Sequence, residues 1–140
     1  MTDLDPRLVE DAYGLQRLIG FRMTGWSDGW ARYELPIEDK LTNRYGIPHG
    51  GVYAMLLDTV MGHSGSWTGD PDRKSLAMTL SMTTNFLSRP TGRLLIGEGR
   101  RTGGGRSTFF SEGTLTDDEG TVVATGTGVF RIRGGGQAAS

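Results

Sequence analysis

Only one stretch of this chain carries a long helical pattern, and that stretch constrains the fold more than any other feature. Val52, Met55, Leu56, Thr59, Val60, His63 and Trp67 recur at i, i+3, i+4, i+7, i+8, i+11 and i+15, the spacing of one helix face. Tyr53, Ala54 and Leu57 fill much of the remaining circumference near its start. A helix from Gly50 to about Trp67 that is apolar on most sides must be buried on most sides. The chain beyond it reads as strand after strand. Leu76, Met78, Leu80, Met82, Thr84 and Phe86 alternate with Ala77, Thr79, Ser81, Thr83 and Asn85, a two-residue period. Further runs span 93–101, 107–115 and 121–133. Between them lie the turn signals Arg89-Pro90-Thr91-Gly92, Gly103-Gly104-Gly105 and Asp117-Asp118-Glu119-Gly120. Turns this short join antiparallel strands.

Ahead of the long helix the pattern is weaker. Asp5 can cap a short helix over about 5–14, with Pro6 in its first turn and Gly14 ending it. A strand is expected over 15–24. A second runs over about 29–37, where Ala31, Tyr33, Leu35 and Ile37 alternate with polar positions. The sum is an α+β domain over 1–133, one buried helix wrapped by one curved antiparallel sheet. The tail 134–140, GGGQAAS, is expected to be disordered.

Composition narrows the function. The 140 residues carry 15 Lys plus Arg against 16 Asp plus Glu, a net charge of −1. That balance argues against a nucleic-acid partner, which calls for a basic face. No run approaches the ~20 apolar residues that cross a bilayer, and the acidic N-terminus with Pro6 is not a signal peptide. With no Cys there is no thiolate nucleophile or Cys-ligated metal. A cytoplasmic protein without a cofactor fits these features. Gly is the outlier, 23 of 140, and most glycines sit between or inside β-like runs, where they mean turns or close backbone approach.

The chemistry concentrates at Asn43-Arg44-Tyr45-Gly46-Ile47-Pro48-His49-Gly50-Gly51, which leads into the long helix. Gly50 and Gly51 either make a tight entry turn or offer unobstructed N–H donors at the positive end of the helix dipole, where a developing oxyanion is stabilised. Asp58 lies inside Leu56-Leu57-Asp58-Thr59-Val60-Met61. Either it marks an exposed edge of the helix, or it is a partnered carboxylate in an apolar setting, suited to act as base or nucleophile. A metal site of His49, Asp58 and His63 is disfavoured, because five residues rotate about 140° around a helix. No Gly-x-Ser-x-Gly elbow is present, and Gly103-Gly104-Gly105-Arg106-Ser107 lacks the Lys-Ser/Thr of a phosphate loop. Arg89, Arg101 and Arg106 sit at turns, either as solvated charges or as phosphate ligands.

Asn43-x-x-Gly46-x-x-His49-Gly50-Gly51, six residues and then Asp58-Thr59, resembles the signature of hotdog-fold acyl-CoA thioesterases, in the branch that includes the phenylacetate-pathway enzymes. Thr84-Asn85-Phe86-Leu87-Ser88-Arg89-Pro90 and Asp117–Ala124 extend the likeness, which covers about residues 15–132. It implies a hotdog fold and acyl-CoA hydrolysis, with Asp58 as general base or nucleophile and the Gly51 amide polarising the thioester carbonyl. Asn43 and His49 would position carbonyl or water, Thr59 would support the water, and Gly50 and the three arginines would bind substrate. An enoyl-CoA hydratase or dehydratase on the same fold, and a non-catalytic acyl-CoA-binding module, are the competing readings. Asp58 lies eight residues past Gly50, ~12 Å along the helix, whereas a reacting atom must sit ~3 Å from both carboxylate and oxyanion donor. Two antiparallel copies of the helix solve this, so a homodimer with composite sites is expected, assembling further as a dimer of dimers.

Overall fold

The computed structural model describes residues 4–134. A 3-10 turn, Pro6–Leu8, precedes helix α1 (Gly14–Ile19) and strands β1 (Arg22–Ser27) and β2 (Trp30–Pro36). A second 3-10 turn, Asp39–Leu41, leads to helix α2 (Gly50–Ser64). Then come β3 (Ser75–Phe86), β4 (Leu94–Gly104), β5 (Thr108–Asp117) and β6 (Val122–Gly134). All neighbours pair antiparallel in the order β1-β2-β4-β5-β6-β3. This is the hotdog architecture: one curved sheet around one main helix.

The N-terminal expectation is corrected. No helix spans 5–14. Asp5 does cap, accepting from the Arg7 amide at 2.9 Å, but it caps only a single 3-10 turn. The regular helix is α1, inside the segment expected to be a strand. Leu15, Leu18 and Ile19 have helical spacing, and Gly20 at φ +97° supplies the left-handed cap that ends it. Likewise α2 stops at Ser64, three residues before Trp67. At the other end of the chain β6 continues through Gly134, which pairs with Ser75. The rest of the expected disordered tail, 135–140, lies outside the described residues.

The seat of α2 explains much of the glycine. Tyr53, Leu56, Leu57, Val60, Met61 and Ser64 of the helix are buried. They press on the concave face of the sheet at Gly97 and Gly99 of β4, Gly113 of β5 and Gly126 of β6. A Cβ at Gly99 would run into the Val60 carbonyl, and one at Gly113 would lie 3.0 Å from Leu57 Cδ2. The glycines therefore let the sheet approach the helix backbone. Buried Ser64 and Ser111 hydroxyls, 2.8 Å apart, fix the C-terminal end of α2 to β5.

The sheet has two edge strands among the described residues, β1 and the longer β3. β3 pairs only with β6, and its register shifts between Thr79 and Ser81. The bulge changes which side chains point inward. Ala77 before it and Met82 after it pack on the core, while Leu76, Met78 and Leu80 are 47%, 44% and 48% exposed.

Candidate functional site

The loop 42–49 is built to present the start of α2. Asn43 anchors it: its amide donates to the Ile47 carbonyl at 2.8 Å, and its own carbonyl accepts from Gly46 at 3.0 Å. Its side-chain Oδ1 accepts from the Tyr45 amide at 2.9 Å, so what remains for a ligand is the carboxamide N–H pair. Gly46 takes φ +76°, which closes the turn without strain. The His49 amide bonds to the Leu41 carbonyl at 2.8 Å, and Leu41 is buried.

His49 is the N-cap of α2, and its Nδ1 accepts the Gly51 amide at 2.8 Å. An accepting Nδ1 assigns the ring proton to Nε2, and the residue is exposed. The Gly51 N–H, expected to polarise a carbonyl, is engaged by this cap. The Gly50 amide has no partner among the described residues. Gly50 is therefore the open donor of the helix terminus, and Phe86 packs over its Cα, 3.1 Å from where a Cβ would stand.

Two turns further on, Asp58 is half-buried, and its Oδ1 accepts the Thr79 hydroxyl of β3 at 2.6 Å. Sequence reasoning missed Thr79. It is the inward residue just before the bulge, a polar side chain where the core face would otherwise continue. Thr59 beside Asp58 donates its hydroxyl to the Met55 carbonyl at 2.9 Å, so it can offer only lone pairs to a ligand. A cleft of about 340 Å³ opens between α2 and β3, with Asp58, Thr59, Gly62 and His63 on one wall and Ala77 and Thr79 on the other. His63 donates from Nδ1 to the Thr59 carbonyl at 2.9 Å and meets Tyr33 and Trp26 at centroid distances of 5.4 Å. Burial pushes its pKa below the usual imidazole range, so it stays neutral.

Asp58 and Gly50 are not brought together within the chain. They contact different parts of β3, Asp58 at Thr79 within the strand and Gly50 at its last residue, Phe86, seven positions further on. The arginines divide in the same way. Arg89 follows β3, is exposed, and lies near the Tyr53 phenol at the α2 N-terminal end. Arg101 instead bonds the Gly105 carbonyl at 3.1 Å and lies over the Phe109 ring at 5.6 Å. It holds the β4–β5 turn, where Arg106 is exposed. That turn sits at the C-terminal end of α2, because Phe109 occupies the space beside Gly65.

Comparison with known proteins agrees with the architecture. The family model of the thioesterase superfamily matches residues 45–124, which include the Gly50 terminus, Asp58 and Thr79. A protein of Halobacterium salinarum named "putative esterase" is 30% identical over 131 residues, covering 87% of this chain and 86% of the relative. A conserved protein of Pseudomonas aeruginosa superposes with a TM-score of 0.77 at 27% identity, over 91% of this chain and 97% of that one. The Escherichia coli PaaI protein from the phenylacetic acid degradation operon shares the fold. Its TM-score is 0.74 at 19% identity, over 86% of this chain and 85% of that one.

Proposed function

We propose that this chain, which belongs to the thioesterase superfamily, hydrolyses an acyl-CoA thioester to the free acid and CoA. Asp58 takes a proton from water as the water adds to the thioester carbon, or adds to that carbon itself. The Gly50 amide, at the positive end of the α2 dipole, holds the negative charge that develops on the carbonyl oxygen. The C–S bond then breaks. On the first route the CoA sulfur leaves with the proton that Asp58 took from water. On the second it leaves as thiolate and takes a proton from solvent, and a water then hydrolyses the acyl-Asp58 anhydride to free acid and regenerated carboxylate. Asn43, through its free carboxamide N–H groups, and His49, through Nε2–H, orient the carbonyl, and Arg89 meets a CoA phosphate at the same end.

The observation that carries this reading is the half-buried Asp58 carboxylate, aimed by Thr79 into a cleft. A mid-helix carboxylate in an apolar stretch needs a reason to be there.

The site is shared between two copies. A long edge strand with exposed aliphatic side chains is a template for pairing, and β3 is such a strand. If β3 pairs antiparallel with its symmetry mate in the register that sets Phe86 of one strand opposite Thr79 of the other, the two half-sites meet. The Gly50 amide of one copy then faces Asp58 of the second, which closes the ~12 Å gap along a single helix.

The test is release of free CoA thiol from a panel of acyl-CoAs. Asp58→Asn should keep its melting temperature and lose at least ~10²-fold in kcat. Wild-type turnover by the folded variant would remove Asp58 from the mechanism. Loss of enoyl absorbance without thiol release would instead favour a hydratase.

A further inference from the structure

The cleft beside Asp58 has a roof and an end wall built from residues outside the His-Gly-Gly and Asp signature. The roof is the segment before α1. Tyr13 is 46% exposed, yet it is held in place. Its ring meets Phe21 edge-on at 6.1 Å, and Phe21 is 2% exposed. Its hydroxyl faces Thr59, next to Asp58, and burial raises its pKa, so the phenol stays neutral. Glu10, on the same segment, pairs with Lys74 at 3.5 Å, tying the segment across the mouth to the start of β3.

The end wall is rigid. Trp26 donates its Nε1–H to the His63 carbonyl at 2.8 Å, and the two rings pack edge-on. Gly62, without a side chain, leaves the floor open toward Phe130 and Ala77. From Asp58 to His63 the helix advances five residues, ~7.5 Å. An extended chain gains ~1.2 Å per bond, so about six bonds reach from the carboxylate to the wall.

We infer that Tyr13 is a specificity-determining residue which roofs the acyl pocket, so that the chain admits a compact acyl group and excludes long unbranched ones. The inference rests on the proposed thioesterase reading for the position of the thioester at Asp58. It adds the size of the acyl group and the residue that sets it. The ring, rather than the hydroxyl, carries the effect, because a wall excludes by volume.

The experiment compares butyryl-, hexanoyl-, decanoyl- and tetradecanoyl-CoA with the wild type, Tyr13→Phe, Tyr13→Val and Tyr13→Ala, each checked by thermal melting. The wild type should favour hexanoyl- over decanoyl-CoA by about tenfold or more in kcat/KM, a difference within reach of hydrophobic pocket fit. Tyr13→Phe should keep the same length cut-off. Tyr13→Ala, or Tyr13→Val if the alanine variant melts early, should bring the two substrates within about threefold. A wild type that hydrolyses tetradecanoyl-CoA as well as hexanoyl-CoA would overturn the roof and leave the hydrolase standing. So would small-residue variants that keep the cut-off. If no thioester is cleaved, calorimetric binding of hexanoate and decanoate to the wild type and Tyr13→Ala decides. Length discrimination lost in the variant would keep the roof and remove the hydrolase, and its absence in the wild type would remove both.

Discussion

Replacing Gly50 by proline deletes one proposed catalytic donor and almost nothing else. Gly50 is the first residue of α2, with His49 as its cap. A first-turn N–H has no intrahelical acceptor, so proline there costs no helix hydrogen bond. The residue before a proline must be extended, and His49 already sits at φ −63°, ψ 141°. The steric cost is a Cβ 3.1 Å from Phe86 Cε1, and Phe86 is 59% exposed, so its ring can yield. Gly50→Ala brings the same Cβ and keeps the N–H. The ratio of the two variants therefore isolates the amide. Loss of one oxyanion-hole donor costs ~10²–10³ in kcat, about 2.7–4 kcal/mol.

The assay is kcat from thiol release at saturating acyl-CoA, with a melt of each variant. Gly50→Pro should fall ~10²-fold or more below Gly50→Ala, at a similar melting temperature. Gly51→Pro is the contrasting case. It removes the 2.8 Å bond to His49 Nδ1, a cap worth ~1 kcal/mol, and should lower the melting temperature more than Gly50→Pro does. Equal kcat for proline and alanine at position 50 would refute the assignment of the open donor.

Thr79→Val keeps the shape and removes the 2.6 Å hydroxyl bond to Asp58; kcat should drop roughly tenfold, about 1.4 kcal/mol, with Thr79→Ser restoring it, and an unaffected valine variant would show that Thr79 does not position Asp58. Co-refolding Asp58→Asn with Gly50→Pro should recover up to about a quarter of wild-type activity per subunit, since half the dimers are mixed and each has one intact site of two. No recovery from two well-folded variants would place each site within one chain. At the opposite end of the sheet, burial alone would raise the Asp117 carboxyl, but the amides of Gly92, Thr121, Thr91 and Glu119 outweigh it and hold the group well below the usual carboxylate range. A depressed folded-state pKa stabilises above the unfolded value of about 3.9 and is lost as pH falls through the folded one; the melting temperature should fall below about pH 4, and Asp117→Asn should lower it at neutral pH and flatten that acid limb.

The parts legible in the sequence were those set by local period and by turn chemistry. The apolar circumference of α2 dictates burial whatever surrounds it, and the β4, β5 and β6 boundaries fall within a few residues of Pro, Gly and Asp clusters that favour turns, although β4 runs on through Gly103 and Gly104 of the expected Gly103-Gly104-Gly105 turn. What was not legible depends on a neighbour. The helix Gly14–Ile19 is six residues long, too short for a periodic signal, and its capping Gly20 reads equally well as a strand break. In β3 the even-numbered residues look like one continuous buried face, yet the bulge between Thr79 and Ser81 splits that face in two. Leu76 and Met78 go outward, and Thr79 goes inward to Asp58. A bulge of one residue leaves no mark in composition; its signature is the mismatch between an apolar run and its exposure. That same mismatch leaves an edge strand with exposed aliphatic side chains, a template for pairing. The device that turns Thr79 toward the carboxylate is thus the one that turns Leu76 and Met78 outward, so the exposed aliphatic edge and the aiming of Asp58 are two consequences of a single inserted residue.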